Sequence, residues 1–173
     1  ADLNMHIQQM VISSTGIPAF ISIDQEGGMV TRIQKGATFF PGNMAFSAAG
    51  DECDTETEGR IEGEELRAMG ININIAPVLD INSNPENPVI GVRSYGDDPD
   101  RVARLGMGYI KGIQGSGVIA TAKHFPGHGD TSTDSHLCLP SVPYDMERLR
   151  NVELYPFRKA IESGVDAIMS AHV

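Results

Sequence analysis

Between Lys123 and Pro140 the sequence reads KHFPGHGDTSTDSHLCLP, which places three of the chain's five histidines and two aspartates within 18 residues. Asp134-Ser135-His136 sets a carboxylate two residues from an imidazole. A nearby anion stabilises imidazolium, raises the histidine pKa and fixes the tautomer, so the outer nitrogen can give and take a proton near neutral pH. His136 with Asp134 is therefore a candidate general acid/base pair. An isolated D-x-H recurs by chance; the crowding of titratable groups in one Gly/Pro-punctuated loop gives this one weight. His124 and His128, with Asp134 or His136, also invite a metal reading. A helical metal motif needs its ligands on one helix face, and Pro126, Gly127 and Gly129 interrupt any helix there, so no metal site is expected.

Two further segments carry reactive side chains. Asp24-Gln25-Glu26-Gly27-Gly28 puts adjacent acids beside two glycines that permit close backbone approach, with Arg32 following eight residues after Asp24. Arg93 lies in an Asn- and Pro-rich loop over 77–99. It matters only if it points into the same mouth as Asp24 and Lys123.

The elements that must hold these residues follow one repeating order: a short apolar β-type run, a polar loop, then a helix. Strands are expected at 18–23, 71–75, 118–122 and 165–169, each short and apolar as strands covered on both faces are. Helices are expected from Leu3 to Ser13, after a Thr55/Glu58 capping box up to Gly70, from the Asp98 cap with Pro99 at its first position, from the Asp145 cap to Val152, and from Pro156 to Gly164. This order predicts a parallel α/β fold. A doubly wound sheet would carry a Gly-rich phosphate turn after an early strand, and DQEGG is not GxGxxG. A β/α barrel instead places reactive side chains at the C-terminal ends of its strands, and Asp24, Lys123-His124 and His172 each follow a predicted strand. The expected fold is a (β/α)8 TIM-type barrel. A whole barrel takes about 250 residues, so four strands in a single domain over 1–173 read as part of one, truncated at both ends.

Composition narrows the partners. The 173 residues carry 13 Lys+Arg against 23 Asp+Glu, a net charge of −10, which disfavours nucleic acid because no basic cluster offsets it. No apolar run approaches the roughly 18 residues of a membrane span. Cys53 and Cys138 make no disulfide framework. No cofactor motif is present, and neither the compartment nor the oligomeric state can be read.

Five segments, IDQEGGMVTRI, NIAPVLDIN, GVRSYGDDP, KHFPGHGDTSTDSHLCLP and DAIMSAHV, together resemble family 3 glycoside hydrolases of the bacterial β-N-acetylglucosaminidase branch, in order and spacing across nearly the whole chain. The resemblance implies that His136 is the general acid/base and Asp134 its partner. It implies that Asp24, Arg32, Arg93, Lys123 and His124 grip the hydroxyls of a terminal sugar. His128 has no clear role, and Met29 stands where relatives often carry Arg. The implied reaction is retaining removal of a terminal β-N-acetylglucosamine from a peptidoglycan-derived glycan or muropeptide, through a covalent glycosyl–aspartate. The family's aspartate nucleophile follows a strand after the SAHV segment, beyond Val173, so the fragment alone is expected to be inactive. Because a histidine base is neutral, phosphate is a conceivable acceptor in place of water. A non-catalytic sugar-binding fragment is the competing expectation, and a neutral-sugar β-glucosidase is disfavoured because such relatives lack the DSH segment. Lys, Arg and Asp give charge-assisted hydrogen bonds to hydroxyls. The chain has 0 Trp, so recognition must rest on that polar grip with Phe125 or Tyr95 at most.

Overall fold

The computed structural model describes residues 1–130 and 144–171. Helix α1 (Asp2–Thr15) precedes strand β1 (Ser22–Ile23), and a small antiparallel hairpin of β2 (Gln25–Gly27) and β3 (Val30–Thr31) follows at once. Helices α2 (Asn43–Ala49) and α3 (Glu52–Ala68) lead to β4 (Ile73–Asn74). A 3-10 turn (Gly91–Arg93) and α4 (Pro99–Gly115) lead to β5 (Ile119–Phe125). Helices α5 (Met146–Asn151) and α6 (Tyr155–Glu162) lead to β6 (Ala167–Ser170). The main sheet has order β1-β4-β5-β6, parallel throughout, with Ser22 opposite Ile73, Ile73 opposite Ile119 and Thr121 opposite Ala167.

Sequential parallel strands joined by helical crossovers are the repeating unit of a TIM-type barrel, and the four described strands are half of the eight that close one. The expected α/β barrel architecture holds. Strand β5 runs further than expected, through Lys123 and His124 to Phe125, so these two residues lie in the strand rather than after it. His172 and Cys138 lie outside the described residues, and Cys53 is an exposed free thiol. Among the described residues no helix is long and apolar enough to cross a membrane.

The helices pack outside the sheet. The start of α3 differs from expectation: Asp51, not Thr55, is the N-cap. Its carboxylate accepts from the Cys53 and Asp54 amides at 2.8 and 3.2 Å, while Asp54 accepts from the Asp51 amide at 3.0 Å. That is a reciprocal capping box one turn earlier. Thr55 and Glu58 therefore fall inside the helix, on its buried face. Helix α4 does begin at the Asp98 cap with Pro99 in its first turn. The two helices approach through glycines. A Cβ on Gly112 would lie 2.1 Å from the Glu56 carbonyl oxygen, and one on Gly59 would lie 2.4 Å from that of Tyr109. Beneath them Leu66, Leu79, Val102, Leu105, Ile113, Ala120 and Phe157 form one continuous core.

Candidate active site

The C-terminal ends of β1, β4 and β5 converge, as they must in a parallel sheet. Lys123, near the end of β5, is 2% exposed, and its ammonium lies 2.8 Å from Asp24 Oδ1 and 2.5 Å from Glu26 Oε1. The β2–β3 hairpin turns Glu26 inward, where its carboxylate is also 2% exposed. Arg93, presented by the 3-10 turn, donates from Nε and Nη2 to the two Glu26 oxygens, both at 2.8 Å. This two-pronged geometry is the strong form of an Arg–carboxylate pair. Burial pushes the Glu26 carboxyl up, but hydrogen bonds from Arg93 and the charges of Lys123 and Arg93 outweigh it and hold the group below its ordinary 4.5. Two cations and two anions thus neutralise one another, which a buried charged group requires.

A second buried acid follows the segment that extends β4 alongside Lys123. Asp80, with 0% of its surface exposed, follows the apolar run Ile75–Leu79. Its Oδ2 lies 2.6 Å from His124 Nδ1, and both oxygens accept from the His124 amide at 3.2 Å. Oδ1 also accepts from the His128 amide at 2.7 Å. Burial raises the Asp80 carboxyl, and these hydrogen bonds together with the His124 charge bring it net below 3.8. One carboxylate therefore orients the His124 ring and pins the turn that follows it. The turn also presses on the 81–82 backbone, since a Cβ on Gly129 would lie 1.7 Å from the Ile81 carbonyl oxygen.

These side chains enclose a cavity of about 550 Å³ lined by Asp24, Glu26, Arg32, Arg93, Lys123 and His124, with His128 and Met169–Ala171 completing the wall. It is in the size range of small-ligand sites. All five residues expected to grip a sugar reach this one cavity. Arg32 is exposed at its rim with no ion pair to another described residue, which leaves its donors available. The expected acid/base pair, Asp134 and His136, lies outside the described residues. Among the described residues no group of three or more His, Cys, Asp and Glu is placed to hold a metal.

Sequence reasoning missed Glu26 as the common partner of Lys123 and Arg93, and Asp80 as the partner of His124. The signal for Asp80 was available: an acid closing a buried apolar run, the same feature that marked Asp24. For Glu26 no sequence rule distinguishes an inward acid from a solvated one in a three-residue strand.

The whole chain, residues 1–173, matches the family model for the glycosyl hydrolase family 3 N-terminal domain. It is 46% identical over 167 residues to β-hexosaminidase A of Pseudoalteromonas piscicida, covering 93% of this chain and 28% of that protein. Among solved structures it superimposes on a glycoside hydrolase family 3 β-N-acetylglucosaminidase from Paenibacillus sp. str. FPU-7 with a TM-score of 0.97 and 59% identity, over 99% of this chain and 33% of that one. NagZ from Neisseria gonorrhoeae, solved in complex with N-trifluoroacetyl-D-glucosamine, gives a TM-score of 0.88 at 35% identity, over 99% of this chain and 51% of that one. The chain thus spans from under a third to about half of these relatives.

Proposed function

The chain belongs to glycosyl hydrolase family 3, and from that premise we propose that the full-length protein removes terminal, non-reducing β-linked N-acetylglucosamine from peptidoglycan-derived glycans with retention at the anomeric carbon. The observation that carries this reading is the convergence of Asp24, Arg32, Arg93, Lys123 and His124 on one cavity. Lys123 and Arg93 are already paired with Asp24 and Glu26, which suits a neutral polyhydroxylated ligand better than an ionic one. Asp24, Lys123 and His124 offer a carboxylate, an ammonium and an oriented imidazole to ring hydroxyls, and Arg32 and Arg93 complete the grip. Each charge-assisted hydrogen bond to a hydroxyl contributes about 1.5–3 kcal/mol.

In the proposed chemistry an aspartate carried by chain beyond Val173 attacks the anomeric carbon as the glycosidic bond breaks. His136, protonated and paired with Asp134, gives its proton to the departing oxygen. The resulting neutral imidazole then takes a proton from water as that water displaces the aspartate and releases the sugar. Retaining glycosidases otherwise use two carboxylates for these roles; here the imidazole replaces one.

The test is hydrolysis of an aryl β-N-acetylglucosaminide by the full-length protein. His136→Ala and Asp134→Ala are each expected to lower turnover by about 10²–10⁴-fold, the range of general acid–base catalysis. Undiminished turnover in both would reject the pair. Activity that survives chelator treatment excludes the metal-dependent alternative. Assaying sugar-1-phosphate with and without added phosphate decides whether water or phosphate is the acceptor.

A further inference from the structure

Gln25 stands in the chain between two acids of the site. Asp24 before it and Glu26 after it both reach the Lys123 ammonium, yet Gln25 lines none of that cavity and is 4% exposed. Its polar groups serve two other partners. The main chain is held by Asn74, the last residue of β4. The Gln25 amide donates to Asn74 Oδ1 at 3.0 Å, and Asn74 Nδ2 donates to the Gln25 carbonyl at 2.7 Å. Asn74 is itself 0% exposed. Its side chain does here what a neighbouring strand would do, satisfying the N–H and the C=O of one residue together.

The Gln25 side chain reaches across the hairpin. Its Oε1 accepts from the Arg32 amide at 2.9 Å and from the Ile33 amide at 3.1 Å, and its Nε2 donates to the Ile33 carbonyl at 3.4 Å. Backbone N–H groups only donate, so these two partners fix which way the side-chain amide points. Strand β3 ends at Thr31, which lies opposite Gln25. Arg32 and Ile33 therefore lie past the ladder, and the glutamine side chain supplies the acceptor that a continued ladder would have supplied.

The Arg32 side chain stands exposed at the rim of the cavity, on a stem of several rotatable bonds. The region its guanidinium can sweep is set by where its backbone is held. Holding that backbone in place reduces what must be ordered when a ligand binds. We infer that Gln25 is a positioning residue for Arg32: braced by Asn74 on β4, it fixes where the Arg32 donors meet a sugar relative to the Lys123 cluster. The inference rests on the sugar-grip reading above, and it gives Gln25 no contact with the substrate.

The experiment is a double-mutant cycle in the full-length protein with an aryl β-N-acetylglucosaminide, comparing Gln25→Met, Arg32→Ala and the two together. Gln25→Met keeps the length of the side chain and removes its acceptor and donor. Arg32→Ala should lower kcat/KM by about tenfold or more, the loss of a charge-assisted hydrogen bond. Most of that fall should lie in KM, with kcat within about threefold, as loss of binding common to ground and transition states requires. Gln25→Met should lower kcat/KM by about fivefold, again through KM. The double variant should stay within about twofold of Arg32→Ala, because Gln25 then has nothing left to position. A brace that only stabilises the hairpin would instead give losses that multiply. In wild type the Arg32 and Ile33 amides should exchange at least about 10²-fold more slowly than in an unstructured peptide, a readout that needs no variant. If Gln25→Met does not fold, Gln25→Asn, one methylene shorter, is measured in its place with the same expectation. Given a loss in Arg32→Ala, full kcat/KM in the Gln25 variant, multiplying losses, or unprotected Arg32 and Ile33 amides would each overturn the inference and leave the grip reading standing. Full kcat/KM in Arg32→Ala would remove Arg32 from the grip, and the positioning role of Gln25 would fall with it.

Discussion

Single buried carboxylates organise this site, and Asp80 does the most with one side chain. It accepts from the His128 amide, from the His124 amide and from the His124 ring, with no exposed surface of its own. Asn in its place keeps the volume but removes the charge, and turns an amide donor toward groups that are themselves donors. Asp80→Asn should therefore cost about 2–3 kcal/mol of stability at neutral pH, the scale of an unsatisfied buried donor. It should also lower kcat/KM by at least about tenfold, because His124 loses the partner that fixes its ring. The pH dependence gives the sign. The folded carboxyl titrates below its unfolded value of 3.8, so its contribution is present above that value and lost as pH falls through the lower folded value. Urea melts of wild type and variant should differ most near pH 7 and draw together progressively as pH falls below 3.8. A constant gap across that range would mean the charge is not what matters.

At the scale of elements, the closest approach is between α3 and α4, whose backbones meet at Gly59 and Gly112. Gly112→Ala should force the helices apart and cost about 3 kcal/mol, the upper range for overpacking. That loss would appear as a lowered melting temperature with the substrate KM unchanged at low temperature, since neither helix lines the cavity around Lys123 that we propose binds the sugar. A variant that melts like wild type would show that the helices separate freely. This contact was not legible in the sequence, where Gly59 and Gly112 read as poor helix formers. The helices themselves were legible from their caps and apolar spacing, as at Asp98, Asp145 and Gly164. The α3 start was misread because Thr55 and Glu58 satisfy the capping pattern as well as Asp51 and Asp54 do, and only burial of the later pair decides between them. The hairpin Gln25–Thr31 was invisible for a different reason: two- and three-residue strands show no periodicity. Asp24, Lys123 and His124 were legible as neighbours because strand ends in a parallel sheet converge, whereas Arg32 and Arg93 were set beside them only by the family resemblance. Their neutralising partner Glu26 was not, because inward orientation is a tertiary property.

For the molecule as a whole, the buried acids set how stability varies with pH. Behind the hairpin, Glu58 and Glu62 lie on the inner face of α3, 1% and 4% exposed, beside the buried phenols of Tyr95 and Tyr109. Burial, aided by the charge of Glu62, raises Glu58 to about 9. Burial raises Glu62 to about 8 despite a 2.5 Å hydrogen bond from the Tyr109 hydroxyl. Both folded values lie above the unfolded 4.5, so the native chain holds two protons that the unfolded chain releases as pH climbs past 4.5. Their contribution is complete below that value and is lost progressively towards pH 8–9. Near pH 7 the folded protein thus carries two fewer negative charges than its formal −10. Urea unfolding should give a free energy that declines from pH 5 to 9, with a slope of at most roughly 1.4 kcal/mol per pH unit for each group and less where water penetrates. Glu58→Gln removes one of the two protons from the balance while keeping the shape. It should match wild type near pH 5 and exceed it increasingly as pH rises to 9. The Asn74 amide links Tyr109 to the Gln25 carbonyl at 2.8 and 2.7 Å, next to Glu26, so loosening around Glu62 at high pH reaches the hairpin that holds Lys123 and Arg93. Substrate KM should then rise above pH 8 in wild type and rise less in Glu58→Gln. Parallel stability curves for the two proteins from pH 5 to 9 would show that Glu58 ionises at its ordinary value, and would end the argument.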